Sequence, residues 1–137
     1  MNFEIHITVS TQDRAKFCAN CALIGVKPII IDTGESNQVM TSSKHVGDEW
    51  MTTLDRLSDE LIDLGYDVIR KKVEIMPEAN RNKNFLYFES HLRLRLPLGF
   101  DKSALKELCL ERNFHMSRNV FKTSDDIEFQ MLTLRSK

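Results

Sequence analysis

The 137-residue sequence predicts an α+β protein with a mainly antiparallel sheet and helices on one of its faces. Two stretches with the period of a half-buried strand, residues 2–9 and 85–96, frame the chain. Between them, residues 48–64 repeat apolar side chains at helical spacing. Apolar residues are 42% of the chain and charged residues 28%, an ordinary balance for a globular protein with a real core. At this length one compact domain, 1–137, is expected.

In residues 2–9, Phe3, Ile5, Ile7 and Val9 fall on one side and Glu4, His6 and Thr8 on the other. Ser10 or Thr11 can cap a helix that runs to Ile24 and ends at Gly25. Residues 26–32 are β-branched and apolar and predict a strand, followed by a polar loop at 33–37 and a short strand at 38–42. Residues 41–45 are expected as a loop before the next helix. That helix, 48–64, carries Met51, Leu54, Leu57, Leu61, Ile62 and Leu64, with Gly65 past its end. Trp50, the single tryptophan, is expected as a core anchor or subunit contact.

Residues 66–75 predict a strand and 77–84 a linker rich in asparagine and charge. In 85–96, Phe88, Ser90, Leu92, Leu94 and Leu96 face one way while Glu89, His91, Arg93 and Arg95 face the other. Asp101 can start a helix whose apolar residues are Leu105, Leu108 and Cys109, and Asn113 can end it in place of a glycine. Residues 114–121 and 127–134 predict two strands joined by a Thr-Ser-Asp-Asp turn.

The resulting order is β-α-β-β, α-β, β-α-β-β. Phe3-Glu4-Ile5-His6 recurs as Phe88-Glu89-Ser90-His91, and Gln38-Val39-Met40-Thr41 resembles Gln130-Met131-Leu132-Thr133. These correspondences predict an internal repeat, 1–45 and 86–137, joined by a helix-strand segment, 46–85. The first six elements have the order of a ferredoxin-like unit, so the expected fold is a pair of duplicated ferredoxin-like units, the second lacking its last helix and strand. An incomplete second copy leaves an edge or face that another subunit can cover, which predicts a homodimer.

Nineteen basic and twenty acidic residues give a formal net charge of -1, so no global field recruits long nucleic acid or an anionic membrane. The longest apolar run is too short to span a bilayer and the N-terminus has no basic-then-apolar leader, which predicts a cytoplasmic protein. Three cysteines, an odd number, suit a reducing compartment. Cys18 and Cys21 have the spacing of half a zinc site, but with no second pair they are expected as helical thiols.

The recurring Glu-x-His pattern is the chemical signal. If the two copies are related by a twofold axis, Glu4, His6, Glu89 and His91 converge. Two histidines can then serve as acid and base on a phosphoester, because an imidazole both takes and gives a proton near neutrality. His6-Ile7-Thr8 resembles the histidine-x-threonine/serine motif that the two-histidine (2H) phosphoesterases carry once in each half of a duplicated α+β fold. The resemblance implies catalytic His6 and His91 with Thr8 on the phosphate. His91-Leu92-Arg93 departs from the motif, so Arg93 would take the place of the second hydroxyl.

Alternatively, Glu4, His6, Glu89 and His91 form a two-His, two-Glu site for a divalent transition metal, since Glu-x-His puts both ligands on one strand face about 7 Å apart. The opening residues also look like the vicinal oxygen chelate superfamily, although there the glutamates come from another strand than the histidine.

The expected ligand is therefore a phosphorylated small molecule or nucleotide, bound and hydrolysed without a cofactor. Glu4 and Glu89 orient the imidazoles, and Lys44, His45, Arg118 and Arg135 join Thr8 and Arg93 around the anion. Hydroxyls and a cation in residues 41–45 suit a phosphate. His115 and Ser117 share one face of their strand and Arg118 takes the other. A non-catalytic ligand-binding or assembly module is the third possibility.

Overall fold

The computed structural model describes residues 1–76 and 85–137. Its elements are β1 (Asn2–Ser10), α1 (Arg14–Ile24), β2 (Lys27–Asp32), β3 (Asn37–Val46), α2 (Trp50–Asp63), β4 (Asp67–Ile75), β5 (Phe88–Pro97), α3 (Ser103–Glu111), β6 (His115–Asn119) and β7 (Ile127–Ser136). The protein is α+β, with seven strands and three helices among the described residues. The expected linker at 77–84 lies outside those residues.

The chain divides into two compact units, 1–29 with 38–83 and 30–37 with 84–137. In the first, β1 lies between β3 and β4 and pairs antiparallel with both. In the second, β7 lies between β5 and β6, again antiparallel, and residues 31 and 32 of β2 pair with Asn119 and Arg118 of β6.

The strict alternation of β1 survives folding: Phe3, Ile5, Ile7 and Val9 are buried, while Glu4, His6 and Thr8 are half-buried on the other face. Phe17 and Cys21 of α1 and Leu57 and Leu61 of α2 complete this core, and α2 packs on β4 and β1. The Phe17 ring meets Tyr66 edge-on at 5.5 Å, and Asn20 donates a 2.7 Å hydrogen bond to the Tyr66 hydroxyl, so the one polar atom of that contact is satisfied.

Several boundaries differ from the sequence expectation. Ser10 stays in β1, and α1 is capped by Asp13, whose carboxylate accepts from Lys16 N at 3.0 Å. Gly25 takes the left-handed conformation that lets the chain leave α1 (φ 73°), and Asn113 does the same after α3 (φ 58°). β3 is the largest departure: it runs through Val46, so residues 41–45 are strand and not loop. Alternating Thr41, Ser43 and His45 against Ser42 and Lys44 supplies the period that the hydroxyl-rich composition disguised. Met51 and Ile62 of α2 point outwards, and Trp50 is half-buried at the start of that helix.

Cys21 is fully buried, and burial followed by the neighbouring Cys18 pushes its thiol up to about 12. Burial also raises the thiol of Cys109. The thiolate is the reactive form, so a thiol-specific reagent should titrate Cys18 first in the native protein and reach Cys21 and Cys109 only on unfolding; equal labelling rates would contradict this core.

Candidate functional site

On the polar face of the first unit, the registers set each β1 side chain between two neighbours. Glu4 stands between Lys44 of β3 and Glu74 of β4. His6 stands across from Lys72, and Thr8 between Met40 and Arg70. His45 does not belong here: it lies opposite Phe3 and stacks on that ring at 5.3 Å, which puts it on the buried face.

His6 is held from behind. Its Nδ1 lies 3.3 Å from the carbonyl oxygen of Thr41, and a carbonyl only accepts, so Nδ1 carries the proton. The Thr41 hydroxyl meanwhile accepts from Ile7 N at 3.2 Å, replacing a main-chain acceptor between β1 and β3. With Nδ1 engaged, Nε2 points at two carboxylates, Glu4 Oε1 at 3.6 Å and Glu74 Oε1 at 3.7 Å. Those distances are too long for good hydrogen bonds, and a nitrogen facing two carboxylates calls for a positive charge there, either a proton on Nε2 or a cation between the three groups.

The carboxylates are themselves positioned. Ser42 Oγ donates to Glu4 Oε1 at 2.6 Å, and Lys72 pairs with Glu74. The His6 imidazole first, and the Lys72 ammonium after it, hold the Glu74 carboxyl well below the usual carboxylate range against the burial that opposes them. Glu74 is therefore an anion at neutral pH. One donor atom each from Glu4, His6 and Glu74 lies within 4.8 Å of the other two, so a single cation can reach all three.

In the second unit the polar face is arranged in cross-strand rows. Glu89 lies opposite Arg135, whose Nε donates to Glu89 Oε1 at 2.7 Å. His91 lies opposite Thr133, which in turn lies opposite His115. His91 Nδ1 is 2.9 Å from the Thr133 hydroxyl, and its Nε2 is 3.7 Å from Glu89 Oε2. A hydroxyl from the neighbouring strand thus stands at Nδ1 of His91.

Besides Arg135, two more expected phosphate ligands have other partners. The Arg93 guanidinium sits 5.3 Å over the Phe129 ring. Arg118 lies on the face opposite to His115 and ion-pairs with Asp32 at 3.3 Å and Glu128 at 3.9 Å. Glu128 also accepts from Lys102 Nζ at 2.8 Å, and Lys102 foremost, then Arg118 and Gln130, lower its carboxyl pKa.

The first unit unites Glu4, His6, Thr8 and Lys44 on one face; the second unites Glu89, His91, Arg93 and Arg135. The sequence reading missed Glu74, Lys72 and Thr133, took Ser42 as one of several loop hydroxyls for a phosphate, and did not link His115 to His91. Each became visible only through a cross-strand neighbour. The alternation of Arg70, Lys72 and Glu74 was a signal, but only once β4 is placed beside β1.

No described protein family, curated protein or solved structure matches this chain. No helix among the described residues is long and apolar enough to cross a membrane.

Replacing Thr41 by Val keeps the shape but leaves the buried Ile7 N–H unpaired, and should lower the unfolding free energy in urea by about 1–3 kcal/mol. Glu128→Gln should cost about 1 kcal/mol at neutral pH. The Glu128 carboxyl is depressed in the folded chain, so this contribution is present above its unfolded pKa and fades as pH falls through the folded value. A loss that persisted unchanged in acid would contradict the assignment.

Proposed function

We propose that the protein binds and hydrolyses a phosphorylated small molecule or nucleotide through a divalent transition metal held by Glu4, His6 and Glu74. The observation that carries this reading is the fixed direction of His6 Nε2: with Nδ1–H on the Thr41 carbonyl, the free nitrogen faces Glu4 and Glu74 together. A metal-binding imidazole commonly donates its other N–H to a carbonyl, and its carboxylate partners are themselves hydrogen-bonded, as Ser42 and Lys72 do here.

Three protein donors leave coordination positions open for water and for a phosphoryl oxygen. Bound there, the metal supplies Lewis-acid polarisation and an acidified water. The chain's own residues do the rest. Thr8, one step along the same face, offers a hydroxyl about 7 Å further on, with Arg70 across from it. Two carboxylates beside His6 would repel a bare phosphate, and a cation held by Glu4, His6 and Glu74 would offset that repulsion.

The acid-base reading, with His6 and His91 acting directly on the phosphoester, has one observation in its favour, the Thr133 hydroxyl at His91. It needs the two imidazoles to share a cleft, and it asks His6 to serve beside two anions.

The matching registers support a duplicated ferredoxin-like origin for both sites. Glu4 opposite Lys44 corresponds to Glu89 opposite Arg135, and Ile5 opposite Ser43 to Ser90 opposite Leu134. This alignment sets residues 39–42 against 130–133, one residue away from the match by letters, and a one-residue slip exchanges the two faces of a strand.

Protein purified without a histidine tag should bind Mn2+ or Zn2+ in a calorimetric titration, and Glu74→Gln should weaken that binding by about 100-fold or more. Turnover of an aryl phosphodiester should require the metal. Metal-independent turnover abolished by His91→Ala would replace this reading with the acid-base one; neither binding nor turnover would leave a non-catalytic module.

A further inference from the structure

The second unit leaves on its surface the kind of side chain that the first unit buries. Phe3 and Ile7 of β1 are 5% and 0% exposed, whereas Phe88 and Leu92 of the similarly alternating β5 are 42% and 53% exposed. In the first unit α2 packs on β4 and β1; in the second the one helix, α3, packs on β6. The apolar side of β5 is left without a helix.

β5 also lies at an edge. It pairs with β7 from Phe88 opposite Ser136 to Pro97 opposite Ile127 with no shift of register, and among the described residues no strand pairs with its other side. Edge strands are normally protected by bulges and lysines. β4, the edge strand of the first unit, has both: its pairing with β1 shifts between Thr8 and Val9, and Arg70, Lys71 and Lys72 put cations on both of its faces. β5 has no lysine and no bulge, and its charges all lie on one face.

We propose that β5 is a dimerisation strand, joined antiparallel to the β5 of a second copy of this chain about a twofold axis at Leu92. A symmetric pairing buries each contact twice and needs a self-complementary strand. Only registers that keep odd with odd and even with even preserve the two faces. An axis at Arg93 would set two Arg93 guanidinium groups against each other and Glu89 against proline. An axis at Leu92 pairs residues 88–96 along nearly the whole strand. It places Leu92 against its copy, Phe88 against the partner's Leu96, His91 across from the partner's Arg93, and Glu89, already paired with Arg135, across from the partner's Arg95. The apolar side chains left exposed by the missing helix then meet one another across the axis. The proposal is independent of the cation at Glu4, His6 and Glu74.

Light scattering on the purified full chain at micromolar concentration should give about twice the 15.9 kDa single-chain mass. Leu92→Glu and Leu92→Lys, at an exposed position, should each give the single-chain mass with an unchanged far-UV circular dichroism spectrum. An equimolar mixture of the two should regain the dimer, since opposite charges then meet on the axis. Arg95→Glu should raise the dissociation constant severalfold. A wild-type protein that stays at single-chain mass, or a Leu92→Glu variant that remains dimeric, overturns the assignment; so does a mixture that fails to reassociate while both variants are folded.

Discussion

β1 has a neighbouring strand on each side, and the first unit is organised around that constraint. A strand flanked by β3 and β4 satisfies its main chain laterally, so its side chains are free to divide cleanly between two faces. Phe3, Ile5, Ile7 and Val9 enter the core, and Glu4, His6 and Thr8 are presented together on the opposite face. The burial that stabilises the strand therefore also fixes where the polar groups stand. Thr41 tightens this link, because its hydroxyl takes the Ile7 N–H while its carbonyl takes the proton of His6.

Charge balance on that face explains why the cluster persists in a folded protein. Glu4 and Glu74 are half-buried anions beside an imidazole, an arrangement that would be costly without compensation. Ser42 and Lys72 supply part of the compensation. The second unit uses the same residue types differently: Arg135 neutralises Glu89, and a hydroxyl stands behind His91. Similar strand patterns thus set two carboxylates at one imidazole in one unit and a single carboxylate paired with an arginine in the other.

The fate of the basic residues shows how little a residue type says about its role. Arg93, Arg118 and Arg135 were all plausible anion ligands by composition. In the folded chain they serve an aromatic ring, two carboxylates on the opposite face and Glu89, respectively. A guanidinium reaches far enough to find the nearest compensating group, and only the cross-strand register identifies which group that is.

Within each strand, the sequence by itself determined the period and therefore the face: β1, its polar set of Glu4, His6 and Thr8, and the αL stops at Gly25 and Asn113 follow from local sterics and alternation. Ambiguity entered where composition hid the period, as in β3, whose serines and threonines read as loop. The tertiary structure decided everything that depends on which strands are neighbours: Glu74 at His6, Thr133 at His91, and His45 on the buried face. Side-chain alternation is a property of neighbouring residues in one strand, whereas strand pairing joins residues dozens of positions apart through main-chain hydrogen bonds that carry no side-chain code.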